Sequence, residues 1–424
     1  MINLFKQVEW MDSSNIYEVN IRQYTPEGNF AAFTKHIPRL KDMGVKILWL
    51  MPITPISLEK RQGTLGSYYA CSSYVAINPE YGTLDDFKAL IHAAHNAGMK
   101  LIIDWVANHT GWDHHWTKEH PEWYMKDELG RFTEINGWED VIDLNFSNHA
   151  MRNELIAAME YWIKECDIDG YRCDMAHLVP LDFWVDARTK CDALKPLFWL
   201  AECDVMEYHK VFDVSYAWEW MRITEEMVKR SLPLQTKRDV LLKYSQYPKG
   251  ANKLFFTSNH DENSWNGTEY EKYGTASKAM AVFTCTWPGM PLLYSGQELP
   301  NHKRLKFFEK DLIEWQPNIL LHGFYKKLFH LKYINSALHN NALFFILNTG
   351  ADDKVLAYLL VKDASKVLVL LNLSPNDKVA CTIKHDYLFG NYCNLFSGLH
   401  HTINNAEKFE LQAWEYIVYA TTIE

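Results

Sequence analysis

Short apolar runs and longer amphipathic segments alternate along most of the chain. The short runs have the length and composition of buried β-strands and cover residues 16–21, 47–51, 101–106, 168–173, 197–201, 211–214, 254–257 and 290–294. Between them lie helix-like segments such as 84–99, where Thr83 and Asp86 form a capping box. Eight strands that alternate with helices predict an α/β fold with a parallel sheet. For 424 residues, a closed (β/α)8 TIM barrel is the simplest arrangement.

Two segments interrupt this alternation. Residues 110–146 have no long apolar period and are rich in Trp, Asp, His and Glu, which predicts a short subdomain inserted after the third strand. After residue 338 the pattern becomes β-rich, with predicted strands at 343–347, 355–361, 366–373, 378–383 and 410–419. We therefore predict a barrel from residues 1–109 and 147–337, an insertion at 110–146 and a C-terminal antiparallel β-sandwich at 338–424.

Composition and charge narrow the classes of partner. The formal net charge of −10 does not predict the basic surface that nucleic-acid binding requires. No apolar run is long enough to cross a membrane, and residues 1–20 lack the pattern of a secretory signal, so we expect a cytoplasmic protein, or a secreted one if a signal peptide has been removed. The eight cysteines form no CxxC pair and are expected to be free thiols. The sequence leaves the oligomeric state open.

Polar residues terminate four of the predicted barrel strands, in the segments 101–109, 169–174, 198–202 and 255–261. Active sites of such barrels lie at the carboxyl ends of the strands and in the loops that follow. The four segments carry Asp104 with Asn108 and His109, Arg172 with Asp174, Glu202, and His260 with Asp261. These residues are therefore the first candidates for chemistry.

Local surroundings suggest different ionisation for two of these acids. Arg172 and Asp174 lie two residues apart on one strand face, so the guanidinium is expected to lower the pKa of Asp174. Glu202 follows Phe198-Trp-Leu-Ala, an apolar run expected to raise its pKa. Each pattern alone also fits a structural ion pair or a hydrogen-bonded carboxyl. Together, an ionised and a protonated carboxyl are what glycoside cleavage requires.

Other chemistries find less support in the sequence. His114, His115 and His120 lie near Asp113, but their spacing matches no standard zinc motif, and a solvated loop is expected there. The chain contains neither a phosphate-binding GxGxxG or GxxxxGK[ST] loop nor a GxSxG elbow.

The four segments, in this order on predicted strands three, four, five and seven, resemble the conserved regions of the α-amylase family, glycoside hydrolase family thirteen. Residues 141–145 and 66–82 resemble two further family motifs, and the resemblance covers nearly the whole chain. It implies that Asp174 is the nucleophile, Glu202 the acid and base, and Asp261 the stabiliser of the transition state. It also implies that Arg172 holds the nucleophile and that Asp104 organises the site.

The same resemblance implies sugar-binding roles. His109 and His260 would donate hydrogen bonds to the hydroxyls of the cleaved sugar. Tyr69 would stack on that sugar, with Tyr68 as the alternative if the alignment shifts by one residue.

The resemblance also bears on cofactors. No cofactor is required by the implied mechanism, but many members bind calcium, and Asn108 and Asp143 match two of its ligands. Leu178 occupies the position of a histidine that completes this calcium site in many members, and residues 175–178 depart from the common Ala-Ala-Lys-His pattern.

The leading hypothesis is a retaining hydrolase that cleaves the α-1,4 bonds of starch or maltodextrins and whose partner is an α-glucan. A transglycosylase, branching enzyme, phosphorylase or sugar isomerase using the same intermediate is the alternative, and a non-catalytic sugar-binding barrel is a third. Five tryptophans are candidates for either sugar stacking or core packing: Trp112, Trp116, Trp123, Trp138 and Trp265.

Overall fold

The computed structural model describes residues 4–236, 238–248 and 250–421. Its strands are β1 Ile16–Val19, β2 Ile47–Leu50, β3 Lys100–Trp105, β4 His109–Gly111, β5 Val141–Asp143, β6 Gly170–Cys173, β7 Phe198–Ala201, β8 Val214–Tyr216, β9 Asn252–Phe255, β10 Met290–Tyr294, β11 Leu343–Leu347, β12 Val355–Lys362, β13 Ser365–Asn372, β14 Val379–Lys384, β15 Gly390–Asn394, β16 His400–Ile403, β17 Ala406–Leu411 and β18 Tyr416–Ala420. Its α-helices are α1 Ile21–Tyr24, α2 Phe30–Thr34, α3 Ile37–Met43, α4 Leu84–Asn96, α5 Trp116–Glu119, α6 His149–Cys166, α7 Leu181–Asp192, α8 Trp218–Arg230, α9 Arg238–Leu242, α10 Glu269–Tyr273, α11 Ser277–Thr286 and α12 His322–Ile334.

Eight parallel strands form a closed barrel in the order β1-β10-β9-β8-β7-β6-β3-β2. The strands are buried almost throughout because helices cover the outside and side chains fill the inside. The predicted fold class, a (β/α)8 TIM barrel, is confirmed.

Three details of the predicted barrel are wrong. β1 ends at Val19, and Ile21 already begins α1. The sixth barrel strand is β8, which begins at Val214 where the prediction ended, because the preceding apolar residues follow a short 3-10 helix, Met206–Lys210, and pair with no strand. That 3-10 helix also replaces the α-helix expected between β7 and β8.

Capping side chains set the starts of two long helices, α4 and α6. Thr83 and Asp86 form the reciprocal capping box at the start of α4. The Asn148 side chain accepts hydrogen bonds from the first N–H groups of α6. Their apolar faces are buried against the barrel.

The segment after β3 contains an antiparallel pair, β4 and β5, with α5 between them. Trp116 and Trp123 are buried there, with ring centroids 4.9 Å apart, so they serve packing. The expectation of a solvated loop is wrong for His114, whose ring lies 4.7 Å from that of Trp116 and has no exposed surface. Burial lowers the pKa of His114 to about 3, and its imidazole is neutral at physiological pH.

The C-terminal region is antiparallel, as predicted. A six-stranded sheet, in the order β11-β12-β13-β18-β15-β16, packs against the pair β14-β17 around a shared apolar cluster. The predicted strand at 410–419 is wrong: it consists of β17 and β18, separated by a turn in which Trp414 has a left-handed φ of 55°. Strands β15 and β16 were not predicted, because the short polar sequence of β16 carries little strand signal.

No helix in the described part of the chain is long and apolar enough to cross a membrane. All eight cysteines are free, and only Cys393 is not fully buried.

Gly170, at the start of β6, is required by close packing between barrel strands. A Cβ atom at this position would lie 2.1 Å from the carbonyl oxygen of Phe198 on β7. Because that oxygen belongs to a buried strand backbone, it cannot move aside cheaply.

We predict that Gly170→Ala lowers the free energy of unfolding by about 2–3 kcal/mol through this overpacking. Urea denaturation followed by circular dichroism measures the change. Gly323→Ala is the matched control, because no atom lies within 4 Å of its added Cβ and its position near the start of α12 favours alanine. Equal stability of the two variants would contradict the prediction.

Candidate active site

One buried guanidinium joins three of the predicted acids at the carboxyl end of the barrel. Arg172 Nη1 donates to Asp104 Oδ1 and to Asp174 Oδ1, each at 2.9 Å. Its Nη2 lies 2.8 Å from Glu202 Oε2. Its Nε donates to the hydroxyl of Tyr216 at 3.2 Å. Acids that are far apart in the sequence therefore meet around a single cation.

Strand register explains this convergence. Asp104 on β3 pairs directly with Arg172 on the neighbouring β6, and both side chains project on the same side of the sheet. Asp174 follows β6 by one residue, and Glu202 follows β7 by one residue.

Met175 supplies a contact that the sequence did not predict. Its backbone is left-handed, with φ 38° and ψ 45°, which is uncommon for a residue with a long side chain. In this conformation its N–H donates to Glu202 Oε2 at 3.0 Å. The unusual backbone thus helps to hold the carboxylate beside Arg172.

The pKa shifts of Asp174 and Glu202 have the opposite directions to those expected from the sequence. Burial and the neighbouring Glu202 raise the pKa of Asp174 well above its usual value, against the opposing effect of Arg172. Burial alone would also raise the pKa of Glu202, but Arg172 and the Met175 N–H lower it. The two acids share the guanidinium of Arg172, so the ionisation of each depends on that of the other.

Asp104 is held from both sides. Its Oδ2 accepts hydrogen bonds from Trp49 Nε1 at 3.2 Å and from the Tyr69 hydroxyl at 3.1 Å. Burial raises the pKa of Asp104 to about 6, even though Arg172 opposes this shift.

Asp261 and His260 follow β9; Asp261 lines the cavity described below, and His260 is buried beside it. His260 Nε2 lies 3.3 Å from Asp261 Oδ2 and 2.7 Å from the Tyr69 hydroxyl. Burial alone would lower the pKa of His260, but Asp261 and Glu18 outweigh it and raise this pKa to about 9. His260 is therefore a cation at neutral pH, whereas the buried His109, whose pKa falls to about 4, is neutral.

The structure distinguishes the two candidate platform residues. Tyr69 lines the cavity and stacks on His260, with ring centroids 5.5 Å apart and an interplanar angle of 21°. Tyr68 is buried in a separate apolar cluster, where Asn20 donates to its hydroxyl. Tyr69 is thus the aromatic residue placed to contact a ligand.

A cavity of about 430 Å³ connects these groups to solvent, a size suited to a small ligand. It is lined by Gln62, Ser67, Tyr69, His109, Gly137, Trp138, Asp140, Val141, Asp174, Met175, Glu202, Asp261, Trp265, Phe307 and Phe308. Trp138 and Trp265 are thus the cavity-lining members of the five candidate tryptophans. Trp112 lies outside it, beneath Lys60.

Sequence reasoning missed Phe307, Phe308 and Glu18. Tyr69, Phe307 and Trp265 form a continuous aromatic wall, with successive ring centroids 6.3 and 5.4 Å apart. Phe307 and Phe308 lie in an irregular segment after β10, where no periodicity indicated a role. Glu18 had a usable signal, since it is a charged residue within an otherwise apolar strand.

The pair proposed for calcium is occupied by protein contacts. Asn108 Nδ2 donates to Asp143 Oδ1, and the Ile135 N–H donates to Asp143 Oδ2, each at 3.1 Å. The amide of Asn108 thus presents its hydrogens to the carboxylate, an orientation unsuited to sharing a cation with it. Within residues 4–236, 238–248 and 250–421, no group of three or more His, Cys, Asp or Glu side chains is placed to hold a metal. This donor set does not fit calcium, and we derive no step through it.

An acid-lined cavity at the carboxyl end of a closed parallel barrel is the arrangement of barrel enzymes that act through carboxylates. A family model described as the α-amylase catalytic domain matches residues 9–128 and 120–229. The chain belongs to the α-amylase family, which confirms the resemblance found in the sequence.

Individual relatives support this assignment. The chain is similar to the crystal structure of a noncanonic maltogenic α-amylase, AmyB, from Thermotoga neapolitana, with 30% identity and a TM-score of 0.89 over 97% of this chain and 99% of that one. It is 26% identical to the α-amylase MalA of Haloarcula japonica over 86% of this chain and 56% of MalA, so it spans about half the length of that relative. Over an alignment of 177 positions, which covers 37% of this chain and 25% of the relative, it is 32% identical to an α-1,4-glucan:maltose-1-phosphate maltosyltransferase of Mycolicibacterium smegmatis.

We predict that calcium does not stabilise this protein. After divalent ions are removed with EGTA, adding calcium should change the thermal unfolding midpoint by less than about 1 °C. A resident ion at 100 times its Kd would instead add about 2.7 kcal/mol to the free energy of unfolding and raise the midpoint. Asp143→Asn, which breaks the brace to Asn108, should lower the midpoint equally with and without calcium. A calcium-dependent rise of several degrees in the unaltered protein would contradict the prediction.

Proposed function

We propose that this protein is a retaining hydrolase of α-1,4-linked glucans and that maltodextrins are its substrates. The observation that carries the proposal is the meeting of Asp104, Asp174 and Glu202 on the single buried guanidinium of Arg172, inside a cavity that Asp261 also lines. A retaining glycosidase needs two carboxyls close enough to act on opposite sides of one bond. Asp174 and Glu202 both lie within 3 Å of the guanidinium of Arg172, at 2.9 and 2.8 Å, which keeps the two carboxyls close enough to flank one bond.

In the first step, an oxygen of Asp174 forms a bond to the anomeric carbon while the bond from that carbon to the leaving oxygen breaks. Glu202 gives its proton to the leaving oxygen. The step therefore requires an ionised Asp174 and a protonated Glu202 when the substrate is bound. Positive charge developing at the anomeric carbon stabilises the ionised Asp174.

In the second step, Glu202 takes a proton from water as the water oxygen attacks the anomeric carbon, and the bond to Asp174 breaks. Asp261 stabilises the positive charge in both transition states. His260, as a cation, donates hydrogen bonds to sugar hydroxyls. The neutral His109, which lines the cavity, contributes a further hydrogen bond to the sugar. No metal or organic cofactor takes part in this scheme.

The cavity favours a neutral polyhydroxylated ligand. Its lining combines carboxylates and His109, which can bind hydroxyls, with the aromatic wall of Tyr69, Phe307 and Trp265, which suits the apolar faces of sugar rings. The names of the relatives agree with this substrate class, since AmyB is described as a maltogenic α-amylase and MalA as an α-amylase.

Asp174→Asn should reduce kcat on maltoheptaose by about 10⁴-fold or more, because the amide cannot act as the nucleophile. Chromatography of the released sugars measures the loss. Asp182→Asn, which changes an exposed acid on α7, is the control and should keep full activity. Retained activity in a folded Asp174→Asn variant would refute the assignment of the nucleophile.

Transfer of the glycosyl group to a sugar acceptor is the second candidate. The similarity to a maltosyltransferase over 37% of the chain favours it, as does the apolar wall beside the acids, which would shield the intermediate from water. Incubating maltoheptaose with and without phosphate and added maltose distinguishes the outcomes. Hydrolysis yields only shorter reducing sugars, transfer yields longer or branched ones, a phosphorylase yields sugar phosphates, and isomerisation leaves the size unchanged.

Trp265→Ala should raise KM for maltoheptaose about 5- to 20-fold, with a smaller effect on kcat, because this half-exposed ring extends the wall away from the reacting sugar. A nitrophenyl α-glucoside, which is too short to span the wall, should show a smaller effect. Trp112→Ala is the matched control, since Trp112 lies outside the cavity. Equal effects of the two substitutions would remove the evidence for a role of Trp265 in substrate binding.

A further inference from the structure

A charged side chain lies within the barrel just behind the site described above. Glu18, on β1, has no exposed surface. Its Oε1 lies 2.5 Å from His260 Nδ1, and its Oε2 has no hydrogen-bond partner among the described residues. Burying a carboxylate costs free energy unless a cation compensates its charge, so the role of Glu18 is tied to the cation beside it, His260.

The hydrogen bonds between Glu18 and Asp104 run outward from the imidazolium of His260. The imidazolium of His260 donates through Nδ1 to Glu18 and through Nε2 to the Tyr69 hydroxyl, 2.7 Å away. That hydroxyl in turn donates to Asp104 Oδ2 at 3.1 Å. The chain of bonds runs from β1 to β3 across the mouth of the barrel, and every member except Glu18 has already been placed in the candidate site.

Charges from several elements face His260. Glu18 on β1 and Asp261 after β9 favour its protonated form, and Asp104 and Glu202 act in the same sense from β3 and β7. Arg172 on β6 opposes it, as does burial. Tyr69 adds a hydroxyl that accepts from Nε2 when His260 is charged. Asp261 and Glu18 contribute most, and Asp261 is itself needed for the reaction.

We propose that Glu18 is a positioning residue that keeps His260 charged and aimed at Tyr69 and Asp261. Through His260, Glu18 sets the orientation of the Tyr69 ring, on which the sugar stacks. The positive charge of His260 also maintains the ionised form of Asp261. This inference rests on the proposed function, because it assigns Glu18 a part in the same reaction.

Two substitutions separate charge from shape. Glu18→Gln keeps a side chain of the same size with an oxygen that can accept from Nδ1, but it removes the negative charge. Glu18→Ala removes both. Glu269→Gln is the matched control, because Glu269 is also fully buried and accepts hydrogen bonds from Thr257 and Gln297, but it does not line the cavity.

The pH profile of kcat/KM on maltoheptaose tests the proposal. The reaction requires the charged form of His260, whose pKa is about 9, and a proton on Glu202. Because the proton on Glu202 is needed in both proteins, the ratio of kcat/KM between Glu18→Gln and the unaltered protein reports His260. Loss of the charge of Glu18 should lower the pKa of His260 by about two units and move the alkaline limb to lower pH, so that this ratio falls about 10-fold at pH 8 but less than about threefold at pH 5.5. Glu18→Ala should lose activity at both pH values, and Glu269→Gln should keep the alkaline limb of the unaltered protein. An unshifted limb in Glu18→Gln would overturn the proposal.

A second measurement is independent of turnover. The imidazole resonances of His260, assigned by their absence from the spectrum of a His260→Gln variant, are titrated by NMR in the unaltered protein and in Glu18→Gln. The proposal requires the midpoint to fall in Glu18→Gln, and an unchanged midpoint would refute it. If the unaltered protein cleaves no α-glucan, the proposed function fails, while this titration still decides whether Glu18 controls the charge of His260.

Discussion

The site depends on one buried guanidinium shared among carboxylates. Arg172 has no exposed surface and contacts Asp104, Asp174 and Glu202 at 2.8–2.9 Å, so none of these acids can be displaced without leaving a charge unpaired in a dry environment. The strand register places the arginine opposite Asp104, and the closure of the barrel prevents the strands from sliding. Precise placement of the acids is therefore a consequence of the barrel itself.

Acids outnumber cations in this interior, and that excess has a chemical consequence. Five carboxyls, belonging to Glu18, Asp104, Asp174, Glu202 and Asp261, face two cations, Arg172 and His260. Burial raises the pKa values of Glu18, Asp104, Asp174 and Asp261, and neighbouring acids add to that rise, whereas Arg172 lowers the pKa of Glu202 against the effect of burial. The ionisation of each acid therefore depends on how the two cations are shared among all five.

Loops from distant parts of the chain complete the cavity. The loop after β2 meets the segment after β10, where the Leu65 N–H donates to the carbonyl of Phe308 at 3.1 Å and Thr64 contacts Glu309. The same loop reaches the segment between β4 and β5, where Gln62 donates to Asp140 at 3.2 Å. These contacts hold the aromatic wall beside the acids and give the cavity its shape.

The barrel, the antiparallel C-terminal region and the acids at the strand ends could be predicted from the sequence. The spacing of apolar residues and the polar residues that end each apolar run are patterns of neighbouring residues in the chain. The pKa shifts of Asp174 and Glu202 were predicted in the wrong direction, since they depend on how several buried charges share Arg172. Glu18 and His260 are separated by 242 residues, and Phe307 lies in a segment without periodicity, so neither role could be inferred from neighbours in the chain. The sequence by itself determined which polar side chains stand at the carboxyl ends of the barrel strands; the tertiary structure alone decided their mutual contacts, their pKa shifts and the shape of the cavity, because electrostatic energy depends on distance and burial in space.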